Sequence, residues 1–194
     1  YRIIREAINR KDLNREGLKN FEYDAYSKKI VKSVGDVAVI EETFVKGYNK
    51  IGEWEKEFLK SRFKTENIKD EARSMDFTIT NQYFVDFSRD TLSLFMNTVY
   101  LPLADNAFDF YDYKLLRTTV SGKKEIYDIE VIPKSEIQPL LEGTIKIDSE
   151  DYALNNVKLT TNEGIRFPYI NNLKVDFNQT LSKNENYWLP LYVE

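Results

Sequence analysis

Residues 125–181 repeat one pattern, short segments in which apolar and polar residues alternate, separated by turn chemistry. In 173–181, Leu173, Val175, Phe177 and Leu181 fall on one parity and Lys174, Asp176, Asn178 and Thr180 on the other, which describes a strand with one dry and one wet face. Residues 143–148 repeat the alternation with Ile145 and Ile147 inward, and Asp148-Ser149-Glu150-Asp151 supplies a polar turn before the next segment. Residues 153–160 then return with Val157 and Leu159 on one parity. Upstream, Tyr127, Ile129 and Val131 share a face until Pro133 removes a donor and closes the strand. Segments of this kind joined by short polar connections imply an antiparallel sheet with one solvated side.

A chain of 194 residues is long enough to bury one substantial core, and the expectation is a single domain over 1–194. A net charge of −4 offers no basic field for phosphate backbones, which argues against a nucleic-acid partner. The chain has no histidine and no cysteine, so imidazole acid–base chemistry, serine or cysteine triads, the usual zinc sites and disulfides are excluded. No apolar run approaches the length of a membrane-spanning helix. With Tyr1 in place of an initiating methionine and a strand running up to the last residue, both ends read as cut from a longer protein.

From the amino terminus, Ile3, Ile4, Ala7 and Ile8 recur at helical spacing, and the expectation is an amphipathic helix over 2–10, broken by Asp12, Asn14 and Gly17. Strands are expected at 21–27, at 37–48 after the turn signal Gly35-Asp36, and at 55–64. In the last of these Phe58 shares a parity with Lys60 and Arg62, while Leu59 and Phe63 take the other, implying partial cover on both sides. Between 65 and 110 short helices are expected: at 67–75, at 91–96 with Asp90 as its cap, and at 104–110. Strand character resumes at 111–120 and again at 187–193. The fold class that follows is α+β and sheet-dominated.

Four stretches carry a resemblance: Phe21-Glu22-Tyr23-Asp24-Ala25-Tyr26-Ser27-Lys28; Pro102-Leu103-Ala104-Asp105-Asn106-Ala107-Phe108-Asp109-Phe110-Tyr111-Asp112-Tyr113; Glu142-Gly143-Thr144-Ile145-Lys146-Ile147-Asp148 with Tyr152-Ala153-Leu154; and Trp188-Leu189-Pro190. On these the chain resembles the middle region of a family of Bacteroidetes outer-membrane proteins. In that family a carboxypeptidase-regulatory-like domain is followed by a domain of unknown function and a carboxy-terminal β-barrel. The resemblance implies a periplasmic position, adjacent domains of the same chain as partners, and no catalytic residues or cofactors. The order of helix and strands also looks like the lipoprotein-carrier fold of LolA and LolB, in which a curved antiparallel sheet forms a half barrel around an apolar cavity.

Three groups of side chains are candidate sites. Phe84, Phe87, Leu92, Phe95 and Met96 lie near one another, either as core or as a flap over a ligand cavity that would take lipid or lipoprotein. Asp105, Asp109 and Asp112, spaced four and three apart, would share a helix face and could hold Ca²⁺ or act as acid and base, but a strand at 111–113 scatters them, and capping is the default role. Glu53, Glu55 and Glu57 read as a wet strand face, with no partner carboxylate to make a glycosidase pair. Asn178-Gln179-Thr180 matches a glycosylation acceptor by chance. The expected function is therefore a non-enzymatic periplasmic domain that makes protein contacts or gates access beside a membrane barrel, with lipid binding as the alternative.

Overall fold

The computed structural model describes residues 1–15, 20–33, 36–50, 54–66, 85–94, 96–122, 124–166, 174–184 and 187–193. The chain forms two compact units, one made of Tyr1–Glu16 and Phe84–Glu194 and the other of Gly17–Tyr83. The architecture is α+β and sheet-dominated, with antiparallel sheets and a helix at the amino terminus, as the alternation and spacing imply.

In the first unit, helix α1 (Arg2–Arg10) precedes a hairpin of β4 (Thr91–Leu94) and β5 (Asn97–Tyr100), a single helical turn α2 (Ala107–Phe110) and a six-stranded sheet. The sheet is built from β6 (Tyr111–Ser121), β7 (Lys124–Pro133), β8 (Leu141–Asp148), β9 (Leu154–Thr161), β10 (Asp176–Asn184) and β11 (Tyr187–Val193). Its strands lie in sequence order, so it is an open meander with β6 and β11 at its two edges. Cross-strand register sets Leu115, Ile129, Ile145, Val157 and Gln179 in one row across the inner face, and all of these but Leu115 at the edge are buried. Burying Ile145 and Ile147 contributes about 2–3 kcal/mol each relative to leaving them in water. Ile4 and Ala7 of α1 join this core, so the apolar stripe read from the sequence is the helix's packing face.

Two backbone features shape the sheet. Gly143 has φ 137°, and a Cβ there would stand 2.3 Å from the Lys158 carbonyl oxygen, so the approach of β8 to β9 requires glycine. The turn from β8 to β9 is held by Asp148, whose carboxylate accepts the Glu150 and Asp151 N–H groups at 2.9 and 3.2 Å, and Tyr152 completes it at φ 54°.

Of the helices expected between 65 and 110, the one at 91–96 is overturned and the one at 104–110 is present but shorter. Residues 91–94 are strand β4, paired in register with β5, because Thr91, Thr98 and Val99 favour a pleated backbone over the helix suggested by Leu92 and Met96. Residues 104–106 are turn, and only Ala107–Phe110 is helical. The expected helix at 67–75 lies outside the described residues. So do Gly35 at the expected turn and Leu173 at the start of the last alternating segment, and β10 is described from Asp176.

In the second unit, β1 (Asn20–Ser33), β2 (Asp36–Lys50) and β3 (Trp54–Glu66) form an antiparallel sheet in the order β1-β2-β3. Its register corrects the parity expected for β3. A bulge opposite Phe44 and Val45 makes Lys60 an extra residue, so Phe58 pairs with Lys46, Ser61 with Phe44 and Phe63 with Glu42. Phe58 and Phe63, five residues apart, thereby share a face. On the opposite face the Tyr23 ring lies over Gly47, where a Cβ would meet it at 2.1 Å, and the Tyr23 hydroxyl donates to Glu57 at 2.8 Å.

Candidate functional site

In the first unit the 102–113 stretch is the seat of α1. The Tyr111 side chain is fully buried, donates to the Tyr100 carbonyl at 2.5 Å and accepts the Leu141 N–H at 3.1 Å. The Tyr113 hydroxyl donates to the Pro102 carbonyl at 2.7 Å. Burial raises both phenols well above the ordinary tyrosine range, in Tyr111 against the Leu141 N–H and in Tyr113 with help from neighbouring Tyr111 and Asp112, so both remain donors. Tyr100 and Phe110 stack at 4.0 Å between centroids, and Phe108 takes the Tyr1 ring at 5.6 Å and the Arg5 guanidinium at 5.8 Å. The Tyr1 hydroxyl donates to Asp112 at 2.8 Å.

The other end of α1 is held by charge. Lys11, its side chain only 9% exposed, sets Nζ 2.6 Å from Asp90 and 2.7 Å from Asp105, and donates to the Leu103 carbonyl at 3.2 Å. Asp90 also accepts the Asp105 N–H at 3.0 Å. Lys11 and Asp90 belong to the two segments of the first unit that flank the second unit in sequence, and the ion pair joins those segments within the first unit. Arg10 adds a guanidinium 5.0 Å from the Tyr152 ring centroid, which tethers the residue at positive φ. Nearby, Asp151 accepts from Lys183 at 2.7 Å and from the Trp188 indole at 3.1 Å. Burial opposes its charge, but these two donors outweigh it and hold the carboxyl below the usual range.

The sequence candidates disperse on this frame. Asp105 is bound to Lys11, Asp109 lies in α2, and Asp112, in β6, takes Tyr1 with Lys134 at 3.7 Å; no group of three acidic ligands capable of holding a metal occurs among the described residues. Glu57 is held by Tyr23, Glu55 lies in β3 and Glu53 lies outside the described residues. Phe87 is buried edge-on against Phe177 at 5.6 Å, Leu92 packs against the core, and Met96 stands out at 86% exposure between β4 and β5. Phe84 and Phe95 lie outside the described residues. Gln179 lies on the parity of Phe177 and Leu181, which the glycosylation pattern obscured; it is 2% exposed and its Oε1 has no partner among the described residues.

The sequence also missed an outward surface in the second unit. On one face of its sheet, Tyr26, Phe44, Phe58 and Phe63 are 62%, 40%, 54% and 63% exposed, with Tyr48 packed edge-on against Phe58 at 5.8 Å. Lys28 bridges to Glu42 at 3.3 Å and Lys46 to Glu22 at 3.4 Å on the same face. Large rings gathered on one solvent-facing sheet surface mark an interaction site more often than isolated exposed side chains do. The signal for this face lay in the β2–β3 bulge, which periodicity alone does not reveal.

No curated protein matches the chain. Residues 3–194, nearly its whole length, match the family of unknown function DUF5686, and the chain belongs to that family.

Proposed function

We propose that the chain is a non-enzymatic contact domain of a bacterial envelope protein, held in the periplasm beside a membrane β-barrel, with the aromatic face of the β1–β2–β3 sheet as its contact surface. The observation that carries this reading is that face: four rings of which 40–63% is exposed, interleaved with charges that neutralise one another. The interior of the first unit supports it. The most distinctive residues of the chain are committed to internal contacts, Tyr111, Tyr113 and Phe110 to the backbone at 100, 102 and 141 and to the Tyr100 ring, and Phe108 to Tyr1 and Arg5. The acids at Asp90, Asp105, Asp128 and Asp151 each pair with a basic side chain. Phe87 and Leu92 are spent on packing, which favours contact over capture of lipid in a cavity. The periplasmic position and the neighbouring barrel rest on the resemblance of the 102–113 stretch.

The test is a photo-activated cross-linker placed at Phe63 in the full-length polypeptide in its native host. The reading requires recovery in the outer-membrane fraction and adducts to the barrel, to a second copy of the chain or to another envelope protein, absent when the cross-linker stands at Thr118. Recovery in the cytoplasm, or identical adducts from both positions, overturns it.

A further inference from the structure

The aromatic face is built in rows whose charges invert about its centre. The middle row is Tyr26–Phe44–Ser61. On one side lies Asp24–Lys46–Phe58 and on the other Lys28–Glu42–Phe63. Passing from one flanking row to the other, β1 changes from acid to base, β2 from base to acid, and β3 keeps phenylalanine.

From this pattern we infer that the face is self-complementary and that its partner is a second copy of this chain, related by a two-fold axis lying along the middle row. The inference rests on the reading of this face as a contact surface and names the partner. That rotation reverses strand direction and exchanges the flanking rows, so Asp24 meets Lys28 of the other copy, Lys46 meets Glu42, Phe58 meets Phe63, and Phe44 meets Phe44. Two sheets packed face to face stand about 10 Å apart, a gap that a lysine and a carboxylate bridge together. A parallel arrangement would set like charges and like rows against each other, which the same pattern disfavours. With strands about 4.8 Å apart and alternate residues about 6.8 Å apart, three rows on three strands cover on the order of 300 Å² per copy. That is smaller than the roughly 800 Å² per partner of standard stable complexes, so the association is weak and concentration-dependent.

The experiment uses the pairing rule itself. Asp24→Lys places two basic residues against each other twice in a homodimer, and Lys28→Asp does the same with two acids. A mixture of the two variants restores opposite charges at both contacts. Sedimentation velocity from low to high micromolar concentration should show a monomer–dimer equilibrium for the unmodified chain, monomers for each variant alone, and dimer recovered in the equimolar mixture. Phe44→Glu should abolish dimer, with circular dichroism verifying that the fold is kept. A chain that stays monomeric throughout, a dimer indifferent to Phe44→Glu, or a mixture that remains monomeric overturns the inference. Those outcomes leave the cross-linking at Phe63 to decide the broader contact reading independently.

Discussion

Replacing Lys11 by methionine keeps the buried stem and removes the ammonium that joins the end of α1 to the 90–105 segment. Three interactions are lost: ion pairs at 2.6 and 2.7 Å and a bond to the Leu103 carbonyl at 3.2 Å. The carboxylates are 52% and 75% exposed, so water takes over much of their solvation, and each pair is worth about 0.5 kcal/mol after screening. The carbonyl bond adds about 1 kcal/mol. Lys11→Met is therefore expected to destabilise the first unit by about 2 kcal/mol, read by urea denaturation followed through circular dichroism. The pH dependence has a definite sign. Asp90 is held below the ordinary carboxylate range, first by the hydrogen bond from Lys11, against some burial, and also by the Asp105 N–H. Its contribution is present above an unfolded value of about 3.9 and lost as pH falls through the lowered folded value. In Lys11 burial opposes the charge most, but Asp105 and Asp90 together raise its pKa, so its contribution is present below about 10.4 and lost as pH rises through the raised value. The difference between the variant and the unmodified chain should be flat through neutral pH and shrink at both extremes. A Lys11→Met chain within about 0.5 kcal/mol of the original at pH 7 would refute the reasoning.

Three further substitutions probe the frame. Tyr111→Phe strips a buried hydroxyl from the Tyr100 carbonyl and the Leu141 N–H and should cost about 2–3 kcal/mol in denaturant; a loss under about 0.5 would show that the bonds are replaceable. Gly143→Ala sets a Cβ against the Lys158 carbonyl at positive φ and should cost at least about 2 kcal/mol, and an unchanged melting temperature would contradict the close β8–β9 approach. Gln179→Met replaces a buried side chain whose Oε1 has no partner among the described residues and should stabilise the chain by about 1 kcal/mol; destabilisation would mean that the amide is satisfied in solution.

The six-stranded sheet was readable because one face is buried and the other wet, so alternation at Ile145, Ile147, Val157 and Leu159 reports directly on the fold. Helix α1 was readable for the same reason at another period. The β4–β5 hairpin was not, because Leu92 and Met96 mimic a helical stripe over a stretch too short to separate the two periods. The seat of α1 was invisible as a site, since the partners of Tyr111 lie 11 and 30 residues away in sequence and those of Lys11 lie 79 or more away. The aromatic face escaped for a different reason: the bulge at Lys60 shifts the parity of β3, and only the register shows that Phe58 and Phe63 point the same way.

The most direct measurement of whether that face is a contact surface uses the absence of native cysteine. Single cysteines at Phe63 and at Thr118, an exposed position of β6, can be labelled with a maleimide in dilute purified protein and in the native cell envelope. The account predicts that both react in dilute solution and that only the Phe63 site becomes protected in the envelope. Equal labelling of the two sites in the envelope would contradict it.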